Sequence, residues 1–223
     1  MDTTLANLID LWDAARERQS LPRQDEIAAA LAARGMAFAQ TDESANRMRL
    51  TLPGMALDYG AVAKGYGVEE AWRVLMGSEL PIYGIVDAGG NIKTVGDKPD
   101  GSDWQIGLTD PANPQELLGV LALAGGQVAA TSGDYQRYQE IDGRRYHHLL
   151  SPITGWPAEY NHSATAICAD GLTADYYSTL LFLLPTAEAV ALAEATPGLE
   201  AVLIGATGEA FVTAGLAERV KWR

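Results

Sequence analysis

Apolar residues recur at helical spacing from the start of the chain. Leu5, Leu8 and Trp12 fall on one face of a helix, and the polar residues 2–4 are its candidate N-caps. A second helix is predicted over residues 22–35, where a proline opens it and a glycine ends it. Both helices have the pattern of elements that serve packing.

Three more helices are predicted further along. The first carries Val68 and Trp72 on its apolar face and follows a glycine-rich entry that contains Lys64. The next has Thr173 as its predicted N-cap and stops near Pro185, and the last is amphipathic and follows directly.

Short apolar runs separated by turn residues predict strands between these helices. We expect a strand, a Pro-Gly turn and a short second strand over Met48–Asp58, and hairpins at Gly89-Gly90-Asn91 and Asp142-Gly143. Further strands are predicted in WQIGLTDP, which runs into a turn at Asp110-Pro111, in the apolar segment SATAIC, and in a closing hairpin over EAVLIGATGEAFVTAG. Mixed short strands, hairpins and inserted helices are typical of an α+β fold. With no linker or composition break, we treat residues 1–223 as one domain.

Composition narrows the functional classes. The formal charge of −13 over 223 residues leaves no basic stripe to neutralise nucleic-acid phosphates. A phosphate-bearing ligand would therefore need a metal ion or backbone dipoles. The one cysteine, Cys168, lies in an apolar run, which predicts a buried structural thiol. No apolar run is long enough to predict a membrane span, and no signal-peptide pattern is present.

Asp175 and Thr179 are the strongest candidates for a metal site. They are four residues apart in a predicted helix, so both project from one face, and we expect Asp175 near the surface of a cleft. A carboxylate and a hydroxyl are suitable ligands for Mg²⁺. Taken alone, the pair is better explained as an acidic residue favoured by the helix dipole and a threonine bonded to its own helix.

The histidines are the candidates for acid–base chemistry. His147 and His148 are adjacent, so on a strand they face opposite sides and one of them at most enters a given site. For the other, and for His162, a structural role is the simpler interpretation. No CxxC or HxxxH spacing suggests zinc.

Thr131-Ser132-Gly133-Asp134 interrupts a strand pattern with small polar residues. A turn and a ligand-binding segment are equally good interpretations. By itself, Lys64 is best explained as a solvated loop residue.

The combination of segments is more specific than any one of them. In order along the chain, the sequence contains VAKGYGVEEAW, VDAGGNIKTVG, WQIGLTDP, ATSGDYQRY, RYHHLLSPITGWP and LTADYYSTLLFLL. Together they closely resemble the FAD:protein FMN transferase family, also called ApbE and formerly thiamine biosynthesis lipoproteins. The resemblance covers essentially the whole chain and implies a duplicated, T-fold-like α+β architecture with the site between its halves.

The resemblance also implies an activity and its residues. Members are Mg²⁺-dependent enzymes that split FAD, join FMN to a Thr or Ser of an acceptor protein and release AMP. The metal ligands fall on Asp175, Thr179 and the carbonyl of Ala63, and the base falls on His148. The FAD contacts fall on three segments: Lys64, Gly65 and Glu69; Gly89, Gly90 and Asn91; and Thr131, Ser132 and Gly133.

Three departures from the family pattern bear on these expectations. Ser151 stands where the family usually has aspartate before proline, and Glu69 stands where aspartate is common. The chain starts where members are already well into their domain, so we expect the family's first strands to be missing. Members are typically periplasmic, often as anchored lipoproteins, which leaves the location of this chain open. Two other functions stay open: an FAD hydrolase giving FMN and AMP, and a non-catalytic FAD-binding protein.

Overall fold

The structure, a computed structural model, describes residues 2–79 and 82–223. The helices are α1 Ala6–Glu17, α2 Gln24–Ala32, α3 Ala63–Met76, α4 Gly171–Leu183 and α5 Thr186–Ala195. The strands are β1 Ala39–Asp42, β2 Arg47–Leu50, β3 Gly84–Asp87, β4 Asn91–Val95, β5 Trp104–Thr109, β6 Leu117–Leu123, β7 Val128–Gly133, β8 Tyr138–Ile141, β9 Arg144–His147, β10 Asn161–Cys168, β11 Glu200–Gly205, β12 Ala210–Val212 and β13 Val220–Trp222. The strand pairs are antiparallel throughout these described ranges, and the predicted α+β class is confirmed.

The chain divides into two compact units, which we describe separately. The first unit contains the residues up to Tyr59 together with Arg137–Ala158. Its core joins Leu8 and Trp12 of α1 to Ile27 of α2 and to Leu150. The indole N–H of Trp12 donates to the Gly155 carbonyl at 2.9 Å. The hairpins β1–β2 and β8–β9 complete this unit.

The second unit contains Gly60–Gln136 and Glu159–Arg223. Its centre is a six-stranded sheet with the order β12-β11-β10-β7-β4-β3. Helices α3 and α4 cover one face of this sheet, which we call the helix face. The other face, which we call the core face, packs against the three-stranded sheet β13-β6-β5 through a cluster that includes Leu121, Leu123, Ala129 and Ile167.

Alternation along the central strands assigns each side chain to one of these faces. Ile92 and Ala129 are paired across β4 and β7 and belong to the core-face cluster. Their neighbours Asn91 and Ala130, also paired, therefore point to the helix face. Ser132 shares that face because it is two residues beyond Ala130.

Several local predictions are confirmed, and others are wrong. The hairpin turns at Gly89-Gly90 and Asp142-Gly143 form with positive φ at all four residues. The expected short strand before Asp58 does not form; the Asp58 N–H donates instead to the Thr3 carbonyl at 2.8 Å. Helix α4 starts before Thr173, and its N-cap is Asp170, whose carboxylate accepts from the Thr173 N–H at 2.8 Å.

Candidate functional site

Asp175 is held at a close crossing of α3 and α4. Its Oδ2 accepts a 2.8 Å hydrogen bond from the backbone N–H of Gly65, in the first turn of α3. A Cβ atom on Gly65 would overlap the Gly171 carbonyl oxygen, so glycine is what allows the helices to approach this closely. Asp175 is 2% exposed and lies in the second turn of α4, so the expected position near a surface is wrong.

Thr179 follows one helical turn later and meets strand β7. Its hydroxyl is 3.3 Å from the hydroxyl of Ser132, which is also 3.0 Å from the Ser178 hydroxyl. All three residues are buried. Ser132 thus belongs to the same group of oxygen atoms as the predicted metal ligand Thr179. Sequence reasoning missed Ser178, although its place one residue before Thr179 on an apolar helix was a usable signal.

Asn91 adds a buried amide to the helix face. Its side chain is fully buried, and neither its oxygen nor its nitrogen has a hydrogen-bond partner among the described residues. Since leaving a buried polar group unpaired costs free energy, such a group points to a ligand or a solvent molecule that completes it.

These residues fit a hard divalent cation. Within residues 2–79 and 82–223, no group of three or more His, Cys, Asp or Glu side chains is placed to hold a metal. The candidate ligands are instead the Asp175 carboxylate and the Thr179 hydroxyl one turn later on α4, with the Asn91 amide on the face of the sheet that α4 covers. Mg²⁺ commonly binds through one or two carboxylates and takes its other ligands from water and substrate phosphates. The third predicted ligand, Ala63, is the first residue of α3, where its carbonyl is expected to accept from the backbone one turn later. Its role as a ligand stays a prediction.

The predicted FAD contacts lie on both faces of the six-stranded sheet. Gly90 and Thr131 line a cavity of about 260 Å³ on the core face, together with Asp87, Tyr135 and Thr165. Asn91 and Ser132 point to the helix face. Thr131-Ser132-Gly133 is the end of strand β7 and not a turn, and its Thr131 hydroxyl is 2.9 Å from that of Thr165. The second and third predicted FAD segments therefore lie on adjacent strands, but their side chains point to opposite faces of the sheet.

The first predicted FAD segment is part of helix α3. Lys64 lies in its first turn and not in a loop. Glu69 is 7% exposed, and its carboxylate accepts from the side chain of Lys93 at 2.6 Å and from the Gly171 N–H at 2.9 Å. The contacts of Lys64, Gly65, Glu69 and Gly89 with FAD stay predictions.

The three histidines have different surroundings. In the first unit, both ring nitrogens of buried His147 are engaged, by the Ala158 carbonyl at 2.8 Å and the Leu149 N–H at 3.2 Å. In the second unit, the ring of His162 lies between the Asp134 carboxylate at 2.7 Å and the Ala206 carbonyl at 3.1 Å. These contacts give both residues structural roles.

His148, in the first unit, is bound through Nδ1 to a backbone carbonyl, and its role as a base stays a prediction. Its Nδ1 is 3.1 Å from the Arg137 carbonyl oxygen, which only accepts hydrogen bonds. The neutral ring therefore carries its proton on Nδ1 and its lone pair on Nε2.

Two further expectations concern single residues. Cys168 is buried as predicted, and desolvation raises the pKa of its thiol, which keeps the nucleophilic thiolate scarce. Ser151 lies in the first unit, and its hydroxyl accepts from the N–H groups of Ile153 and Thr154 at 3.2 and 3.3 Å. It thus organises the turn in which the family usually has aspartate.

No helix of the described residues is long and apolar enough to cross a membrane.

Comparison with known proteins places this chain in a family. Residues 1–203 match the model of the ApbE family. An FAD:protein FMN transferase from Klebsiella pneumoniae is 35% identical over 199 residues, covering 88% of this chain and 60% of the relative. One from Salmonella typhimurium is 31% identical, covering 96% and 62%. The chain thus spans about three fifths of the length of these curated relatives.

Solved structures agree with the sequence match. The ApbE protein from Thermotoga maritima superposes with a TM-score of 0.89 at 31% identity, covering 98% of this chain and 71% of that one. The flavinyl transferase ApbE from Pseudomonas stutzeri, in its apo form, gives a TM-score of 0.80 at 31% identity, covering 98% and 68%. From the family match along most of its length and from these likenesses in fold, we conclude that this chain belongs to the ApbE family.

Proposed function

We propose that the protein transfers FMN from FAD to a Thr or Ser hydroxyl of an acceptor protein, with Mg²⁺ as the required metal and AMP as the second product. The observation that supports this most is that the buried carboxylate of Asp175 and the buried hydroxyl of Thr179 lie one turn apart on α4, in a family whose curated relatives are named FAD:protein FMN transferases. Phosphoryl transfer depends mainly on positioning, on a cation that offsets phosphate charge and on a base for the attacking hydroxyl.

The roles of the residues are those that the family resemblance implies, and their chemistry is consistent with them. Asp175 and Thr179 would hold the metal ion, which neutralises charge on the FAD diphosphate when it is bound. Because the protein carries a formal charge of −13, it would otherwise repel that diphosphate. Asn91, with an unpartnered amide on the helix face, is suited to donate to a phosphate oxygen or to a water molecule of the ion.

His148 would accept the proton of the acceptor hydroxyl at Nε2. The hydroxyl oxygen then forms a bond to the phosphorus of the FMN half, the bond from that phosphorus to the bridging oxygen breaks, and AMP leaves. With water in place of the acceptor hydroxyl, the same groups would give an FAD hydrolase.

One experiment separates the three candidate functions. The protein is incubated with FAD and Mg²⁺, with and without an acceptor domain, and the products are followed by intact-protein mass spectrometry and AMP quantification. Transferase activity predicts covalent FMN on the acceptor and AMP in equal amount. AMP formed equally well without the acceptor would identify a hydrolase, and FAD binding without either product would identify a binding protein.

A variant of the base makes this test specific. His148→Gln should slow FMN transfer by roughly 100-fold or more while FAD binding changes little, because a positioned base contributes about that much. His147→Gln is the neighbouring control, with Tm measured alongside because His147 is buried. Normal transfer by a folded His148→Gln protein would refute the base assignment.

A further inference from the structure

The side chain of Lys93, which ends in an ammonium group, is buried in the second unit. It lies on strand β4 and is 1% exposed. Its Nζ donates to Glu69 Oε2 at 2.6 Å and to the Ala169 carbonyl at 3.0 Å, and it is 4.1 Å from the centre of the Trp72 ring. Burying a charge is costly unless it is well paired, so this complete set of partners implies a specific role.

The Glu69 carboxylate extends this interaction to helix α4. The same oxygen that pairs with Lys93 also accepts from the N–H of Gly171, the first residue of α4, at 2.9 Å. Lys93 itself reaches the carbonyl of Ala169, two residues before that helix. One ion pair therefore connects β4, α3 and the start of α4.

This connection acts on the helical turn next to Asp175. Gly171 contacts Gly65 at the crossing of the helices, and the Gly65 N–H donates to Asp175. A shift of the α4 start relative to α3 would thus change the distance between Asp175 and the α3 backbone. The Lys93–Glu69 ion pair and the Asp175 carboxylate thus both fix the crossing of α3 and α4, the first at Gly171 and the second at Gly65.

We propose that the Lys93–Glu69 ion pair is a positioning device, which fixes the start of α4 against α3 and so places the Asp175 carboxylate for the metal ion. This rests on the proposed function only as far as the metal is concerned, because the placement of Asp175 is a property of the metal-free protein. It gives Glu69 an internal role in place of the predicted contact with FAD.

A double variant separates positioning from stability. Lys93→Met/Glu69→Gln removes both charges, keeps side-chain volume and leaves an amide oxygen for the Gly171 N–H. Replacing a whole buried pair is often tolerated, whereas removing one partner is not, so we expect Tm within about 4 °C of the wild type. A second double variant, Lys93→Leu/Glu69→Gln, also removes both charges and provides the same readouts should the first variant not fold.

The first readout needs no metal. Amide hydrogen exchange of the metal-free protein, followed by NMR, should become at least about tenfold faster at Gly65 in the variant. Ala201 is the matched control, since its N–H also donates to a buried side-chain oxygen, that of Thr213 at 3.0 Å. Exchange at Gly65 that stays as slow as in the wild type would overturn the proposal.

The second readout is affinity for Mn²⁺, used as a probe for Mg²⁺ and measured by calorimetry. Residues that orient metal ligands typically change affinity by about 10–100-fold, so we expect at least tenfold weaker binding in the variant. Arg219→Met is the control, because Arg219 also donates to backbone carbonyl oxygen in this unit, at Ala122. A variant with faster Gly65 exchange but wild-type Mn²⁺ affinity would refute the link to the metal.

The two proposals fail in different ways. A wild-type protein that neither binds Mn²⁺ nor transfers FMN would refute the proposed function, while faster exchange at Gly65 in the variant would still support the positioning of Asp175. Unchanged exchange in a wild-type protein that transfers FMN would refute the positioning role alone.

Discussion

The two faces of the six-stranded sheet are both buried, but opposite kinds of side chain cover them. The core face carries Ile92, Ala129 and Ile167, which pack against the three-stranded sheet. On the helix face, the neighbouring positions Asn91 and Lys93 are polar, although each is at most 1% exposed.

The two faces contribute differently to the free energy of unfolding. Apolar burial stabilises the core face in proportion to the area removed from water. On the helix face, each polar group must find a partner or reduce stability, and the Asn91 amide has none among the described residues. A polar interior under helices α3 and α4 is therefore best explained by a function, and the two faces should respond differently to mutation.

The largest effect is expected from Asp175→Asn on the helix face. The amide keeps an oxygen for the Gly65 N–H but loses the charge that attracts the metal ion, so turnover should fall by roughly 100-fold or more. FMN transfer and Mn²⁺ affinity would be measured for both proteins at a temperature where each is fully folded. Asparagine is the sharper substitution, because alanine would leave a buried N–H unpaired. Unchanged turnover at saturating Mg²⁺ would refute the metal assignment.

Leu123→Ala tests the core face. Leu123 is fully buried on β6, and truncating it should lower the free energy of unfolding by about 2–5 kcal/mol. Denaturant unfolding measures the loss. Calorimetry on the folded protein should find Mn²⁺ affinity unchanged, and a parallel loss of affinity would show that the two faces are not independent.

Two glycines of α3 test the helix crossing. Gly65→Ala places a methyl group against the Gly171 backbone and should cost about 1–3 kcal/mol, with weaker metal binding. At Gly67, in the same helix, an added Cβ meets nothing within 4 Å, so Gly67→Ala should gain about 0.5–1 kcal/mol. Thermal unfolding of both variants gives the comparison; equal effects would mean that the close approach is not important.

Asn91→Leu tests whether the unpartnered amide serves a ligand. Replacing it with an apolar group of similar size should raise the free energy of unfolding by about 1–2 kcal/mol, because an unsatisfied buried group is removed. FAD affinity in the presence of Mg²⁺ should fall. A variant that is less stable than the wild type in the absence of ligand would contradict this account of Asn91.

The smallest effect concerns the cap of α4. Partial desolvation would raise the pKa of Asp170, but hydrogen bonds from Thr173 and the charges of Lys93 and Arg73 outweigh it and hold the pKa below its usual 3.8. The ionised cap thus stabilises the fold fully above pH 3.8, and its contribution is lost as the pH falls through the lower folded-state value.

Asp170→Ala should therefore cost about 1 kcal/mol or less at pH 7, and clearly less near pH 3. Urea unfolding of both proteins at the two pH values measures this difference. A cost that stays the same at acidic pH would mean that the carboxylate charge is not what stabilises the helix.

Much of the secondary structure could be predicted because its causes are local. The turns at Gly89-Gly90 and Asp142-Gly143 need residues that tolerate positive φ, and these pairs provide them in sequence. The pairing of Asp175 with Thr179 on one face follows from helical spacing alone. The prediction was wrong where two nearby residues could both serve as the N-cap of α4. Asp170, and not Thr173, is the cap, because its carboxylate accepts the hydrogen bond from the Thr173 N–H.

The site was predictable in its residue types and less so in its geometry. A carboxylate and a hydroxyl four residues apart suit a metal ion, but alone they favoured a structural interpretation, and at most one of the adjacent histidines could be a base. Only the family resemblance assigned these residues to one site. The segment Thr131-Ser132-Gly133 was ambiguous because small polar residues suit both a turn and a buried strand end. Its pairing with β10 decided for the strand.

By itself, the sequence determined the order of helices and hairpins and the α+β class, and it gave predictions of the residues that bind a metal or accept a proton. These depend on interactions between residues a few positions apart. The tertiary structure alone decided that Lys93 is buried against Glu69, that Glu69 holds the start of α4 from 102 residues away, and that Asp175 bonds to a backbone group 110 residues earlier. Contacts over such separations form only when the sheet brings the helices together, and no local pattern encodes them.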